Sequence, residues 1–362
     1  MGYAPRALID HAALRHNLRR AREAAPQSRI WAVLKADAYG HGLERVARSL
    51  GEADGFAVSR INEALCLRGL GIGKPILILG GCYTLEQLEL AAQQGFEVVL
   101  HQHQQFSLLE ALPPETAPLA VWLKVDTGMH RLGYTPMEIE GIAQRLLRHP
   151  QVESLSILTH LANADDPADS ATEAQLKLFD SLPLDLFRYC SIANSGGILG
   201  FPASHRDWVR PGIMLYGVSP FIGGRAQEQG LRPVMTLRSR VISVKQASRG
   251  DPIGYGGRYR CPEAMPVAVV AVGYGDGYPR HAPDSTPVLV GGRRLPLIGR
   301  VSMDLITLDA RGFPDVQVGE EAVLWGDGLP VEEVAEHAGT IAYQLFCNVT
   351  NRVEFIDVKQ EV

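Results

Sequence analysis

An apolar run, Ala32-Val33-Leu34, ends at Lys35 and passes into Ala36-Asp37-Ala38-Tyr39-Gly40-His41-Gly42. A lysine leaving such a strand is partly desolvated, which disfavours its ammonium form and frees the amine to attack an aldehyde. A strand-end lysine that simply reaches solvent is the plain alternative. A second segment runs from Trp122 to Gly133 and carries Lys124 and Arg131. Arginine presents a rigid fork to a carboxylate or phenolate, whereas Lys124 alone would serve as the partner of an acid. His160 closes another apolar stretch, Thr159-His160-Leu161-Ala162, where a histidine is as often structural as functional.

Two further segments suit an anion. Asn194-Ser195-Gly196-Gly197 offers a hydroxyl and backbone N–H groups at a turn before a helix; the same residues would also make an ordinary helix N-cap. In Arg210-Pro211-Gly212-Ile213 the glycine lets backbone approach a ligand closely, and Arg210 has a barrel-end salt bridge as its alternative. Later come Gly254-Tyr255-Gly256, Gly273-Tyr274-Gly275, Ser302-Met303 and Tyr343. Tyrosine titrates near ~10, so Tyr255 as a base would need positive charge beside it.

These segments need elements to position them. Apolar runs at 30–34, 55–59, 75–79, 97–100, 119–125, 152–159, 189–193 and 208–209 read as strands, with helical patterns at 43–50, 85–94, 137–148 and 172–181 among them. Eight strand–helix periods in roughly 200 residues predict a (β/α)8 TIM-type barrel, whose functional groups sit at the C-terminal strand ends. An open doubly wound sheet is the alternative, but Gly69-Leu70-Gly71-Ile72-Gly73 runs into Pro75 and opens no helix for a dinucleotide. After about Gly224 the chain reads as short strands with Gly and Pro turns, a mostly-β domain that the opening strand could join. The expected division is a barrel over residues 9–225 and a β-domain over 226–362, with the N-terminal strand 1–8 added to the latter.

Composition narrows the class. Hydrophobic residues at 46% and charged residues at 21% suit a globular chain with a sizeable core. A net charge of −5 gives nucleic-acid binding no support, and the arginines at 19, 20 and 22 read as a solvated helix face. No apolar run approaches the ~18 residues of a membrane span. Gly2 invites a myristoylation reading, but Arg6 stands where Ser or Thr would be needed. Five scattered cysteines suggest neither a disulfide framework nor a metal site, and point to the cytoplasm.

From about Arg6 to Asn348 the chain resembles the alanine racemases, on the motifs quoted above. That resemblance implies pyridoxal phosphate carried on Lys35 and contacted by Tyr39, Arg131, His160, Asn194, Ser195, Arg210, Gly212, Ile213 and Tyr343. It implies Lys35 and Tyr255 as two bases on opposite faces of the substrate, and a carboxylate held by Arg131 and the Met303 amide. Tyr274 would narrow the entrance, with Asp165, Arg280 and Arg300 in the outer corridor. The lysine matching Lys124 is carbamylated in many relatives. A cationic Arg210 at the pyridine nitrogen weakens the electron sink; a carboxylate there would suit transamination. The resemblance further implies a homodimer with shared active sites, supplying D-alanine for peptidoglycan or serving alanine catabolism.

Three rivals follow. Arg210 argues against a pyridoxal-phosphate decarboxylase, and the β-domain with Tyr255 and Met303 argues against a non-catalytic barrel-only binding protein. A racemase of broader specificity stays open. Two departures from the family pattern stand out: Ser302 replaces a frequent cysteine, and the tail reads Asn351-Arg352-Val353-Glu354-Phe355, which leaves the last dozen residues unassigned.

Overall fold

The computed structural model describes residues 3–358. Gly2, with its myristoylation reading, and the last four positions of the divergent tail lie outside the described residues. The chain divides into two compact units, one of Arg15–Leu215 with Pro220–Ile222 and the other of Met1–Leu14, Tyr216–Ser219 and Gly223–Val362. It opens with β1 (Arg6–Asp10) and α1 (His11–Ala24). In α1 the buried positions Ala13, Leu14, Asn17, Leu18 and Ala21 recur at helical spacing, and Arg19 lies on the exposed face.

The first unit is a closed ring of parallel strands in chain order. They are β2 (Arg29–Val33), β3 (Gly55–Val58), β4 (Ile76–Ile78), β5 (Glu97–Leu100), β6 (Leu119–Lys124), β7 (Val152–Leu158), β8 (Cys190–Ser191) and β9 (Trp208–Val209). β9 pairs back onto β2. The connecting segments hold α2 (Lys35–Gly40), α3 (Leu43–Ser49), α4 (Ile61–Gly69), α5 (Leu85–Gln94), α6 (His103–Glu110), α7 (Pro136–Leu147), α8 (Ala171–Asp180) and α9 (Ser195–Gly200). This is the TIM-type architecture expected from the strand–helix period. Local signals explain individual helices. Before α7, Thr135 and Glu138 form a capping box, with Pro136 in the first turn and Ile139, Ile142, Ala143 and Leu146 buried.

The strands are buried on both faces, hence their near-continuous apolar runs. Trp31 of β2 stacks on Trp208 of β9 at 4.2 Å between ring centroids and meets Trp122 of β6 edge-on at 6.4 Å. β2 and β6 stand on opposite sides of the ring, so that last contact crosses the interior and fills it.

The second unit is the mostly-β domain. Its strands are β10 (Met235–Ala247), β11 (Pro252–Ile253), β12 (Tyr259–Arg260), β13 (Met265–Val270), β14 (Pro287–Val290), β15 (Arg293–Pro296), β16 (Ile306–Asp309), β17 (Glu321–Trp325) and β18 (Glu354–Val358). Two helices, α10 (Val331–His337) and α11 (Ala342–Cys347), interrupt it. The long β10 pairs with β1 and β17 through its first half and with β13 through its second, with an irregularity between Val241 and Ser243. The opening strand β1 thus lies in this sheet, between β10 and a parallel β18, with Arg6 and Glu354 paired at 2.9 Å. Part of the unassigned tail is therefore a strand. The β14–β15 hairpin turns at Gly291 and Gly292, whose φ values of 54° and 77° are those a two-residue primed turn demands. Among the described residues no helix is long and apolar enough to cross a membrane.

Gly55 lies opposite Trp31 in register, and a Cβ there would sit 2.3 Å from the indole. Gly55→Ala should destabilise the barrel by about 1–3 kcal/mol, the usual cost of overpacking a dense core. A urea midpoint equal to that of wild type would show that the ring yields.

Candidate active site

The C-terminal ends of the barrel strands carry most of the residues singled out by type. Lys35 follows β2, Lys124 ends β6, His160 follows β7, Ser195 opens α9 after β8, and Arg210 follows β9. Register explains the convergence: Lys124 of β6 pairs with Leu158 of β7, and Ser191 of β8 with Trp208 of β9.

Arg210 is only 4% exposed. Its Nη1 donates to the Ser191 hydroxyl at 2.5 Å, and its Nη2 donates to the carbonyls of Thr159 (2.5 Å) and Ile192 (3.0 Å). Nη2 also faces His160 Nδ1 at 3.4 Å. Guanidinium can only donate, so Nδ1 is the acceptor and the neutral imidazole keeps its proton on Nε2. No carboxylate pairs with Arg210 among the described residues, so the salt-bridge alternative is not what the fold builds. Burial brings this guanidinium down to about 10, which leaves it charged at neutral pH. Burial, and next the charge of Arg210, hold His160 well below its ordinary value.

Lys124 is 9% exposed. Burial, followed by the charges of Arg210, Arg131 and Lys35, pushes its ammonium down to about 8 against the pull of Asp126. Asp126 is occupied elsewhere: it accepts the N–H groups of Gly128 and His130 at 2.9 and 3.0 Å, and its other oxygen lies 3.4 Å from His130 Nδ1. The acid partner considered for Lys124 is therefore absent among the described residues. Lys35, Lys124, Arg131 and Arg210 all raise the potential at His160. Such a surplus of positive charge at a barrel mouth calls for an anionic occupant.

A second cradle adjoins it. Ser195 Oγ accepts the backbone N–H groups of Gly212 at 3.0 Å and Met214 at 3.3 Å. Glycine at 212 lets the Tyr39 hydroxyl come close, since a Cβ would lie 2.6 Å from it. Tyr39, Ser195 and the 212–214 amides are thus one cluster, with Ile213 between the two donating residues. Asn194 has the helix-cap role left open above: its Oδ1 accepts from Gly197 N–H at 3.0 Å, and its Nδ2 donates to the Leu161 carbonyl at 3.4 Å.

The segment after Lys35 holds a conformation that no motif announced. Ala36, Asp37, Ala38 and Tyr39 have φ values of 55°, 52°, 53° and 53°, a left-handed turn made without glycine. Each such residue costs about 1–2 kcal/mol. Asp37 Oδ1 accepts from Leu43 N–H at 2.7 Å, His41 Nδ1 bonds the Tyr39 carbonyl at 2.9 Å, and Glu63 Oε1 accepts from Ala36 N–H at 2.7 Å. The fully buried His41 is held near about 4 by that burial, so it is neutral and donates to the carbonyl. Composition offered no signal for Glu63, and none for Gln175, whose amide joins Thr127 Oγ1 (3.1 Å) and the His160 carbonyl (3.0 Å). Thr127 in turn meets Thr159 at 2.8 Å.

Tyr255, Tyr274, Met303 and Tyr343 belong to the β-unit, where all four are exposed, Tyr255 most of all at 68%. Within that unit Tyr274 N–H donates to the Ser302 carbonyl at 3.0 Å and Gly275 N–H to Met303 at 2.9 Å, which sets Tyr274 and Met303 side by side. Arg280 lies over the Tyr274 ring at 5.9 Å. The Tyr255 loop abuts Arg300, whose Nη1 would be 3.5 Å from a Cβ on Gly256.

Residues 9–220 match the family described as alanine racemase, N-terminal domain, and residues 234–356 match alanine racemase, C-terminal domain. The chain is 53% identical over 351 residues to the alanine racemase of Nitrosococcus oceani, covering 96% of this chain and 98% of that one. It is similar to the crystal structure of the biosynthetic alanine racemase of Pseudomonas aeruginosa, with a TM-score of 0.96 at 43% identity over 99% of this chain and 100% of that one. The alanine racemase of Bartonella henselae, whose crystal structure has covalently bound pyridoxal phosphate, gives a TM-score of 0.88 at 30% identity, with 99% and 100% covered.

The depressed Lys124 has a consequence for stability. An unfolded lysine titrates near ~10.4. Between about 8 and that value the unfolded chain keeps a proton that the folded chain has lost, so stability rises with pH across the window. Lys124→Met should flatten that rise and be the more stable protein below pH 8. Urea midpoints from pH 7 to pH 10.5, in CO2-free buffer without added ligand, provide the comparison; parallel curves would mean that Lys124 is not desolvated as described.

Proposed function

The chain belongs to the alanine racemase family, and from that premise we propose that it interconverts L- and D-alanine with pyridoxal phosphate carried on Lys35. The observation that carries the reading is the convergence of Lys35, Lys124, Arg131 and Arg210 beside the Tyr39–Ser195–Gly212 cradle. These residues fit the group: a primary amine for its aldehyde, a hydroxyl and amide nest for its phosphate, and cations for its phenolate and ring nitrogen. Tyr39, Ser195, the amides of Gly212 and Ile213, and Tyr343 would hold the phosphate. Arg131 would take the phenolic oxygen and Arg210 the ring nitrogen, with His160 and Asn194 beside them. When bound, the cofactor supplies the electron sink that makes the α-proton of alanine removable.

The remaining work falls to the chain itself. Lys35 removes the α-proton of D-alanine and returns a proton to that face; Tyr255 does the same for L-alanine on the other. Arg131 and the Met303 N–H hold the substrate carboxylate, and Tyr274 and Tyr343 keep the pocket small. Arg210, donating to neutral dipoles rather than to an acid, keeps the ring nitrogen unprotonated and so restrains transamination. A Lys124 amine near its midpoint at about 8 can add CO2; the resulting carbamate would give Arg131 an anionic partner. Exposed Tyr255, Tyr274 and Met303 support a homodimer in which the β-unit of one copy completes the site of the other, and five free cysteines suit a cytoplasmic location. The product serves either as D-alanine for peptidoglycan or as a step in alanine catabolism.

Borohydride reduction of the protein with pyridoxal phosphate should attach the label to the peptide containing Lys35. Label on another lysine, Lys124 included, would end the proposed mechanism.

Mixing tests the shared site. Lys35→Ala and Tyr255→Phe chains should each be nearly inactive. Random pairing makes half the dimers mixed, and half of their sites then combine an intact Lys35 with an intact Tyr255. Co-expression should thus restore roughly one quarter of wild-type activity, given a closed two-fold dimer. No recovery, with mixed dimers verified by mass, would assign both residues to one chain.

A further inference from the structure

The left-handed segment after Lys35 is fastened from outside. Glu63 lies in the first turn of α4, at the exit of the neighbouring strand β3. Its Oε2 accepts the N–H groups of Ser59 and Arg60 at 2.8 and 3.0 Å, which caps α4. Its Oε1 accepts the N–H of Ala36 at 2.7 Å. One carboxylate therefore joins two consecutive strand ends through three backbone donors. Ala36 is the residue directly after Lys35, so this bond grips the peptide on which the lysine is mounted. Asp37 and His41 fasten the segment to residues within it or just beyond it; Glu63 fastens it to another strand–helix unit.

We infer that Glu63 is a positioning residue for Lys35, holding the left-handed segment in register with the next strand of the barrel. The inference rests on Lys35 being the cofactor lysine. Four non-glycine residues in the left-handed region relax toward right-handed geometry once their restraints are removed. Lys35 and Tyr39, at the two ends of that run, would then lose their mutual placement. The chemistry requires a carboxylate. Glutamine brings a single acceptor oxygen; kept on the two N–H groups of Ser59 and Arg60, it turns the amide nitrogen donor to donor against the Ala36 N–H.

The test uses Glu63→Gln and Glu63→Ala, with Thr84→Ala as the control. Thr84 caps α5 through Gln87 N–H at 3.3 Å and has no part in the site, so its loss removes a helix cap and a bond to Glu86 in the same turn. Amide hydrogen exchange on the cofactor-free protein is the first readout. Both Glu63 variants should exchange faster over residues 34–42, by roughly tenfold for one charge-assisted bond lost; Thr84→Ala should leave that peptide unchanged. The second readout is pyridoxal phosphate affinity by absorbance titration. It should weaken by roughly tenfold in the Glu63 variants, as when an outer partner of a metal ligand is removed, and stay at the wild-type value in Thr84→Ala. Faster exchange confined to residues 59–69, with unchanged affinity, would reduce Glu63 to a helix cap and overturn the inference. If borohydride labels Lys35 in wild type while the Glu63 variants match Thr84→Ala, this inference alone fails. If wild type carries no label at Lys35, the cofactor reading fails and the inference with it.

Discussion

A buried guanidinium, Arg210, that meets neutral dipoles rather than a carboxylate at the mouth of a closed barrel is the condition that the rest of the site accommodates. Removing a cation from water is costly unless something replaces its hydration. Here neutral dipoles do so for Arg210: the carbonyls of Thr159 and Ile192 and the hydroxyl of Ser191. Carbonyls solvate a guanidinium without cancelling it, so its field still reaches Lys124 and His160. A carboxylate in their place would have neutralised the site. The charge therefore stays in force, and its cost appears as the lowered Lys124 and His160.

Holding such groups together demands a stiff frame. The ring supplies it through the tryptophan contacts across its interior, and through a polar chain from Gln175 to Thr127 to Thr159 that ends on the Val125 carbonyl at 2.9 Å. The strained segment after Lys35 fits this scheme. Backbone strain persists only where its surroundings over-determine it, and the restraints from Glu63, Asp37 and His41 do that. The β-unit contributes differently, presenting Tyr255, Tyr274 and Met303 at its surface on loops that its own hydrogen bonds arrange.

Much of this was legible from residue order. Strands buried on both faces must be apolar throughout, so the eight runs stood out, and barrel geometry placed Lys35, Lys124, His160 and Arg210 at the functional end. The Asn194 cap and the Ser195 turn were readable because capping chemistry is local. Less local features were hidden. Strand β18 exists because residues 354–358 pair in parallel with β1, some 348 positions away in the chain, a pairing that the tail's own composition does not announce. Helices α4 and α6 are short and weakly amphipathic; burial against neighbouring elements, not a strong apolar stripe, holds them in place.

The amino-acid sequence by itself determined the strand–helix period, the chemical types at the strand ends and the glycine on which Tyr39 can close. Tertiary structure alone decided the handedness of residues 36–39, because each of them intrinsically prefers the right-handed region and a carboxylate 27 residues away helps hold the other. It also decided the charge state of Lys124. A lysine side chain carries no such property of its own; burial, and then three neighbouring cations brought from separate strand ends, lower its proton affinity.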